Sequence, residues 1–337
     1  MKKKRLFILV VLVLLLGACL LLSSCKGDGQ AEETTVVTYT VTFDSNGGSP
    51  VESKQVQAGE LIPKPDDPVL EGQMFDGWKQ KGGYDWDFAS GKVEQDMTLT
   101  ASWISADALF SYRTVEGKDE AIITALKNKE LAVIRVPSVI GGMTVVGIDA
   151  EVFADLSDEY TREIVLPKTL RAVAEGAFAG SDGIRISFEE GAMLTEIGER
   201  AFRNCNGLTN APLGEGLQKI PFEAFLGCSL TELRLPSTLT VIEENAFLGC
   251  AALKTVMLHA PLAQVQNMAF DDCEQLRTVF FFGTEAEADQ LLTEEIDATN
   301  GTLLRATVYL YAETKPAAAG KYGYWYLSSS GTAKIWQ

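Results

Sequence analysis

Aligned on phenylalanine, the chain repeats itself. Phe153, Phe178, Phe202, Phe225, Phe247 and Phe270 follow one another at spacings of 25, 24, 23, 22 and 23 residues, and AFLGC occurs twice, at Ala224–Cys228 and Ala246–Cys250. Five residues before each phenylalanine stands Ile148, Val173, Ile197, Ile220, Ile242 or Val265; eight before the last five stands Leu170, Leu194, Leu217, Leu239 or Leu262. A period in this range signals a solenoid, each repeat being one turn of a coil. Strand patterns upstream of the phenylalanines point pairs of side chains inward: Ile164/Leu166, Ile186/Phe188, Leu233/Leu235, Val256/Leu258 and Val279/Phe281. About six inward apolar side chains per coil contribute roughly 9–18 kcal/mol gross. Ordering about 23 residues costs at least that much in backbone entropy. One coil therefore cannot stand alone, and stability requires stacking. Ala211 and Pro212 replace the strand residues of one coil, so that rung is expected to pair weakly.

A different pattern occupies residues 36–104. VVTYTVTF alternates Val37, Tyr39, Val41 and Phe43 with threonines, and MTLTASW alternates Met97, Leu99, Ala101 and Trp103 with other residues. Both read as half-buried strands. Asn46-Gly47-Gly48 supplies a turn, and Pro63, Pro65 and Pro68 block a long helix. Trp78 and Trp86 are read as core. The ordered pieces YTVTFDSNGG, GELIPKPDDPVLEGQMFDGW and MTLTASW resemble the Listeria–Bacteroides repeat, or internalin-type B repeat. That resemblance implies a β-grasp-like module of surface proteins, a spacer or interaction unit without catalysis.

The coil pattern L-x-x-I-x-L-P-x-x-L-x-x-I-x-x-x-A-F-x-x-C resembles the BspA-like leucine-rich repeat. Residues 136–142, VPSVIGG, look like its first-repeat insertion; EAEADQLLTEEI, ATVYLYAETKP and GYWYL look like its C-terminal cap. The expected fold is mainly β with short helical turns: a small β-grasp-like module followed by a capped leucine-rich-repeat solenoid. Its repeats run over 107–278 and its cap over 279–337.

Residues 1–24 have a different task. Lys2, Lys3, Lys4 and Arg5 precede an apolar run from Leu6 to Leu16, the layout of a secretory signal. Leu22-Ser23-Ser24-Cys25 resembles a bacterial lipobox, with Leu16-Gly17-Ala18-Cys19 as the alternative. Polar residues follow Cys25, whereas leucines follow Cys19, which favours Cys25 as the lipidated residue. Residues 25–35 then form the lipidated cysteine and a flexible tether. The whole chain carries −17; without the four cations of residues 1–24 it stands at −21, with 25 cations against 46 carboxylates. Such a surface is repelled by nucleic acid and anionic headgroups, so the hold on a membrane is expected to be covalent lipid. The expected location is the outer face of the bacterial cell membrane.

Cys205, Cys228, Cys250 and Cys273 each stand three residues after a repeat phenylalanine, a slot that holds Ser181 and Leu156 in earlier coils. Rungs about 4.8 Å apart do not exclude disulfide pairing, but the slot accepts other modest-sized side chains, so the four are read as buried free thiols. A metal site is not expected, since zinc ligands generally come as close C-x-x-C pairs. His259 is the sole histidine and reads as a residue of the solenoid edge. No nucleophile elbow, metalloprotease motif or P-loop is present, so no catalytic residue, metal or cofactor is expected. The expected function is binding of a protein or glycan at the cell exterior. A structural spacer is the alternative and an enzyme acting on envelope polymers a remote one. On each strand the residue between inward positions faces out. One outward row is Arg135, Val165, Ser187, Pro212, Arg234, Met257 and Phe280. Candidate binding residues on this face are Arg185, Glu232, Arg234, Met257, Phe280 and Phe282. The competing expectation is that Tyr322, Tyr324 and Trp325 of the cap cover Phe280 and Phe282.

Overall fold

A computed structural model describes residues 37–336 apart from 71, 157–158, 293–295, 297 and 318–319. The signal segment and both lipobox cysteines, Cys19 and Cys25, lie outside the described residues. Strands β1 (Thr38–Asp44), β2 (Lys54–Gln57), β3 (Gln73–Lys79) and β4 (Met97–Ser105) form one sheet in the order β2-β1-β4-β3, with β1 and β4 parallel. Alternation buries Val41, Phe43, Leu99 and Ala101 on one face, with Trp78 only 2% exposed among them. Trp86 packs against that core. Asn46 and Gly47 take positive φ (47° and 92°) in the turn after β1. Among the described residues no helix lies between β2 and β3, as the three prolines there require.

The sheet is not an isolated bead. Met74 of β3 is buried in the core of the following solenoid, together with Ala106 and Leu109 of α1 (Ala106–Leu109). The Ala106 amide donates to Gly72 O at 3.0 Å. The solenoid opens with a hairpin, β5 (Phe110–Thr114) and β6 (Glu120–Leu126), and then its first front rung, β7 (Val133–Arg135). There the Arg135 amide donates to Met74 Sδ at 3.4 Å, and the Arg135 guanidinium pairs with Asp67 at 2.5 Å. The module thus covers the open edge of β7, an edge that would otherwise template pairing with another chain.

Residues 136–142, read as an insertion, form a hairpin of β8 (Val139–Ile140) with β9 (Met143–Ile148), turned by Gly141 and Gly142 at positive φ. Each coil then lays one strand on a front sheet and one on a back sheet. The front strands are β10 (Glu163–Leu166), β12 (Arg185–Phe188), β15 (Glu232–Arg234), β17 (Thr255–His259) and β19 (Thr278–Phe282). The two-residue back strands are β11 (Ala172–Val173), β13 (Glu196–Ile197), β14 (Lys219–Ile220), β16 (Val241–Ile242) and β18 (Gln264–Val265). After α2 (Glu285–Gln290) and α3 (Gly301–Leu304), β20 (Thr307–Tyr311) adds another parallel front rung. Strands β21 (Gly323–Leu327) and β22 (Ala333–Ile335) close the front sheet. A Thr284–Glu287 capping box starts α2.

Both sheets break at the Ala211–Pro212 coil. The front sheet divides into β12-β10-β7 and β15-β17-β19-β20-β21-β22, and the back sheet divides between β13 and β14. Proline lacks the N–H a central rung must donate. Continuity is kept at the phenylalanine corner. All six repeat phenylalanines are fully buried, and their rings stack at 5.0–5.4 Å within 16° of parallel, with Phe202 on Phe225 across the break. Each phenylalanine amide up to Phe247 donates to the alanine carbonyl of the next coil, at 2.9 Å for Phe202 to Ala224. Flanking positions take positive φ: Glu223 and Gly227 around Phe225, Asn245 and Gly249 around Phe247. AFLGC is therefore one corner spelled twice: a small residue where backbones meet, a ring for the column and a glycine for the bend.

The cysteine slot has a chemical role that the spacing alone did not show. Each thiol donates to the carbonyl of the phenylalanine one coil earlier: Cys205 to Phe178 at 3.0 Å, Cys228 to Phe202 at 3.1 Å, Cys250 to Phe225 at 3.2 Å and Cys273 to Phe247 at 3.3 Å. Ser181 does the same to Phe153. The slot therefore selects a donor, and is not merely tolerant of modest-sized side chains. Leu156 stands where no phenylalanine coil precedes it in the column. All four thiols are free and buried, and burial pushes Cys205 up to about 12.

Candidate interaction face

Strand register lines the outward side chains of the front sheet into three rows. The middle row runs Arg135–Val165–Ser187 and, past the break, Arg234–Met257–Phe280–Tyr309. The row toward the strand starts runs Glu163–Arg185 and then Glu232–Thr255–Thr278–Thr307. Toward the strand ends stand His259 and Phe282, followed by Tyr311 and Trp325. Pro212, placed in the middle row by sequence, belongs to no strand.

Two of the predicted anchors are not available. Met257 and Phe280 do point out of the coil, but they are only 4% and 8% exposed. Trp325, fully buried, lies over Phe280 at 4.8 Å between centroids and beside Phe282 at 4.6 Å. The reason is that β20 and β21 extend the front sheet, so a later strand folds its indole back over the outward row. Tyr322 and Tyr324, the other expected covers, pack against the solenoid core instead. Phe282 stays partly exposed. Arg185, Glu232 and Arg234 are exposed, with Arg234 Nε on Glu232 Oε1 at 2.9 Å and Arg185 Nε 3.7 Å from Glu163. Exposed pairs of this kind contribute little to stability. At the broken rung, Thr209, Asn210, Pro212, Thr231, Glu232 and Arg234 line a depression of about 350 Å³.

What remains accessible is an aromatic column that the sequence reading only partly found. His259 stacks on Phe282 at 4.5 Å and 3°, and Phe282 meets Tyr311 at 5.0 Å. Tyr309 sits beside Phe280 at 5.9 Å. His259, Phe282, Tyr309 and Tyr311 are all partly exposed. The signal is internal to the sequence: TVMLH, TVFFF and TVYLY are three successive rungs, so parallel rungs continue past residue 278, where the cap is expected to begin. Burial holds His259 below the ordinary imidazole range, against the raising effect of the nearby Glu215 carboxylate. Among the described residues no group of three or more histidine, cysteine or acidic side chains could hold a metal ion.

Coils of 22–25 residues, each a front strand, a short back strand and a phenylalanine corner, define a leucine-rich-repeat solenoid. The solenoid belongs to the BspA type leucine rich repeat region, matched in six copies over 127–254 and 186–286, and residues 39–102 belong to the Listeria-Bacteroides repeat domain. An Evansella cellulosilytica protein with the provisional name Gly-rich membrane protein is 45% identical over 67 residues, 19% of this chain. Internalin H of Listeria monocytogenes is 38% identical over 78 residues, 22% of this chain. The matched segments span only 8% and 14% of the lengths of those two relatives. A leucine-rich repeat protein of Bacteroides ovatus (24% identity, TM-score 0.43) covers 60% of this chain, over 54% of its own. The leucine-rich repeat protein of T. pallidum (22%, TM-score 0.37) also covers 60%, over 79% of its own. Among the described residues no helix is long and apolar enough to cross a membrane.

Proposed function

We propose that this chain is an exported lipoprotein, anchored through Cys25, that presents its front sheet to a protein or glycan partner outside the cell and performs no catalysis. Repeat families of this type act generally in surface interaction, and the signal segment with its lipobox supplies the export and anchor. The carrying observation is the partly exposed aromatic column His259–Phe282–Tyr311 on the front sheet. Aromatic side chains are enriched at binding hot spots.

A spacer without a dedicated ligand is the competing reading, and the burial of Met257 and Phe280 favours it. Binding of the chain from Lys26 onward to envelope and host-surface extracts separates the two. A Phe282→Asp, Arg234→Glu variant should lose capture while melting within a few degrees of the wild type. Equal capture by both forms moves the site off this face, and no capture by either supports the spacer. Met257→Asp is unsuitable, because it would bury a carboxylate. For the anchor, Cys25→Ala should abolish metabolic labelling with a fatty-acid probe; retained labelling that Cys19→Ala removes transfers the anchor to Cys19.

A further inference from the structure

The stacking of the column restricts what can dock on it. His259 and Phe282 lie face to face at 4.5 Å and 3°, so each covers a face of the other, and Tyr311 and Trp325 crowd the far side of Phe282 at 5.0 and 4.6 Å. Phe282 therefore turns ring edges to solvent. A sugar ring stacks on an open aromatic face, which Phe282 at the centre of the column does not offer. Apolar protein side chains pack against ring edges without that requirement.

Charge narrows the partner further. The segments that leave the front strands at their C-terminal ends carry Glu189 and Glu190 after β12, Glu215 in the interrupted coil, Glu285 after β19 and Glu313 after β20. All five are exposed, and none is ion-paired to a lysine or arginine among the described residues. The cations on these segments are Lys168, after β10, and Lys315, two residues beyond Glu313. Glu215 lies near enough to His259 for its charge to act on the imidazole. The aromatic column is thus flanked along the strand ends by more carboxylates than cations, on a chain already at −17. Such a rim attracts cations and speeds their encounter.

We infer that the occupant of the front face is a protein surface bearing an apolar patch flanked by lysine or arginine, and not a glycan. The apolar patch lies against the edges of Phe282, Tyr309 and Tyr311, and the cations lie toward Glu215 and Glu313. This inference rests on the front face being the binding face.

The test uses a phage-displayed random dodecapeptide library as probe, selected on the immobilised chain from Lys26 onward and compared with two variants, Phe282→Asp and Glu215→Lys/Glu313→Lys. A neutral and anionic glycan array is the second arm. Expected are enriched peptides of net positive charge with aliphatic pairs. Their binding should be lost in Phe282→Asp, should fall about 10-fold in the charge-reversal variant, and should weaken similarly from low to moderate salt. Peptides that need Phe282 but are neutral or acidic, and ignore the charge reversal, overturn the cationic partner while leaving the face a protein-binding one. No enrichment over Phe282→Asp, or glycan binding that Phe282→Asp removes, overturns the inference; the first outcome also removes the front-face reading, whereas the second keeps the face and reassigns its ligand. Circular dichroism melts of both variants within a few degrees of the parent show that the face, not the fold, was changed.

Discussion

Phe225→Ala tests whether the phenylalanine column holds the solenoid together. Phe225 is fully buried, with Phe202 and Phe247 each 5.4 Å away and within 9° of parallel. Its corner also spans the place where both sheets are interrupted. Truncating a buried phenylalanine costs about 3–5 kcal/mol, depending on how far the site collapses. Little collapse is available here, because the flanking amides are tied to neighbouring coils, Phe202 N to Ala224 O and Phe225 N to Ala246 O, both at 2.9 Å. Two stacked contacts are lost as well, each about 0.5–1.5 kcal/mol beyond burial. The upper part of that range, about 4–5 kcal/mol, is therefore expected. With an unfolding entropy near 2.1 cal/mol/K per residue, a cooperative unit of roughly 300 residues, sheet and solenoid together, should lose about 6–8 °C in Tm. Differential scanning calorimetry of the chain from Lys26 measures it, with Phe270→Ala as comparison. Phe270 has one stacked phenylalanine neighbour, Phe247, and should lose less. Equal falls of under about 2 °C in both would show that the column is not what carries the coils across the interruption.

Three further outcomes follow from particular contacts. Cys228→Ser should be nearly neutral, because a hydroxyl can replace the thiol donor to Phe202 O as Ser181 already does to Phe153 O, whereas Cys228→Ala should cost about 1 kcal/mol, since Phe202 O loses one of its two donors and keeps only the Cys205 amide at 3.2 Å; equal urea midpoints for the two would remove the hydrogen-bond account. His259, the only histidine, should titrate below pH 6.5 in a single NMR resonance. Its folded pKa is depressed, so its contribution to stability is complete above the unfolded value, is lost as pH falls through the folded one, and should vanish from the acid limb of the melting profile in His259→Gln. Met74→Ala should cost about 2–4 kcal/mol and separate the melting of the N-terminal sheet from that of the first coils; an unchanged thermogram would mean that the two do not fold as one unit.

The corner was legible because it is a local repeat. Phe153 to Phe270, with the leucines and β-branched residues kept at constant offsets, could only be buried, and each is in the core save Ile197, which is partly exposed. The weak rung at Pro212 was legible for the same reason, since a missing N–H is a property of one residue. The thiol slot was half legible: burial followed from composition, but the donor role depends on a carbonyl more than 20 residues away in sequence. Coupling between the first sheet and the solenoid was not legible, because nothing in MFDGW marks Met74 as belonging to a different core from Phe75 and Trp78.

The candidate face shows the boundary most clearly. Alternation along a strand decides by itself which way Met257 and Phe280 point, and they point outward as it requires. Whether an outward residue meets solvent depends on what else the chain lays over it. Here that is Trp325, some 45 residues beyond Phe280 and brought there by two further strands. Direction is set by backbone geometry within a strand. Exposure is set by the packing of elements far apart in sequence, and so only the tertiary structure could show that Met257 and Phe280 are covered while His259, Tyr309 and Tyr311 stay partly exposed on the same face.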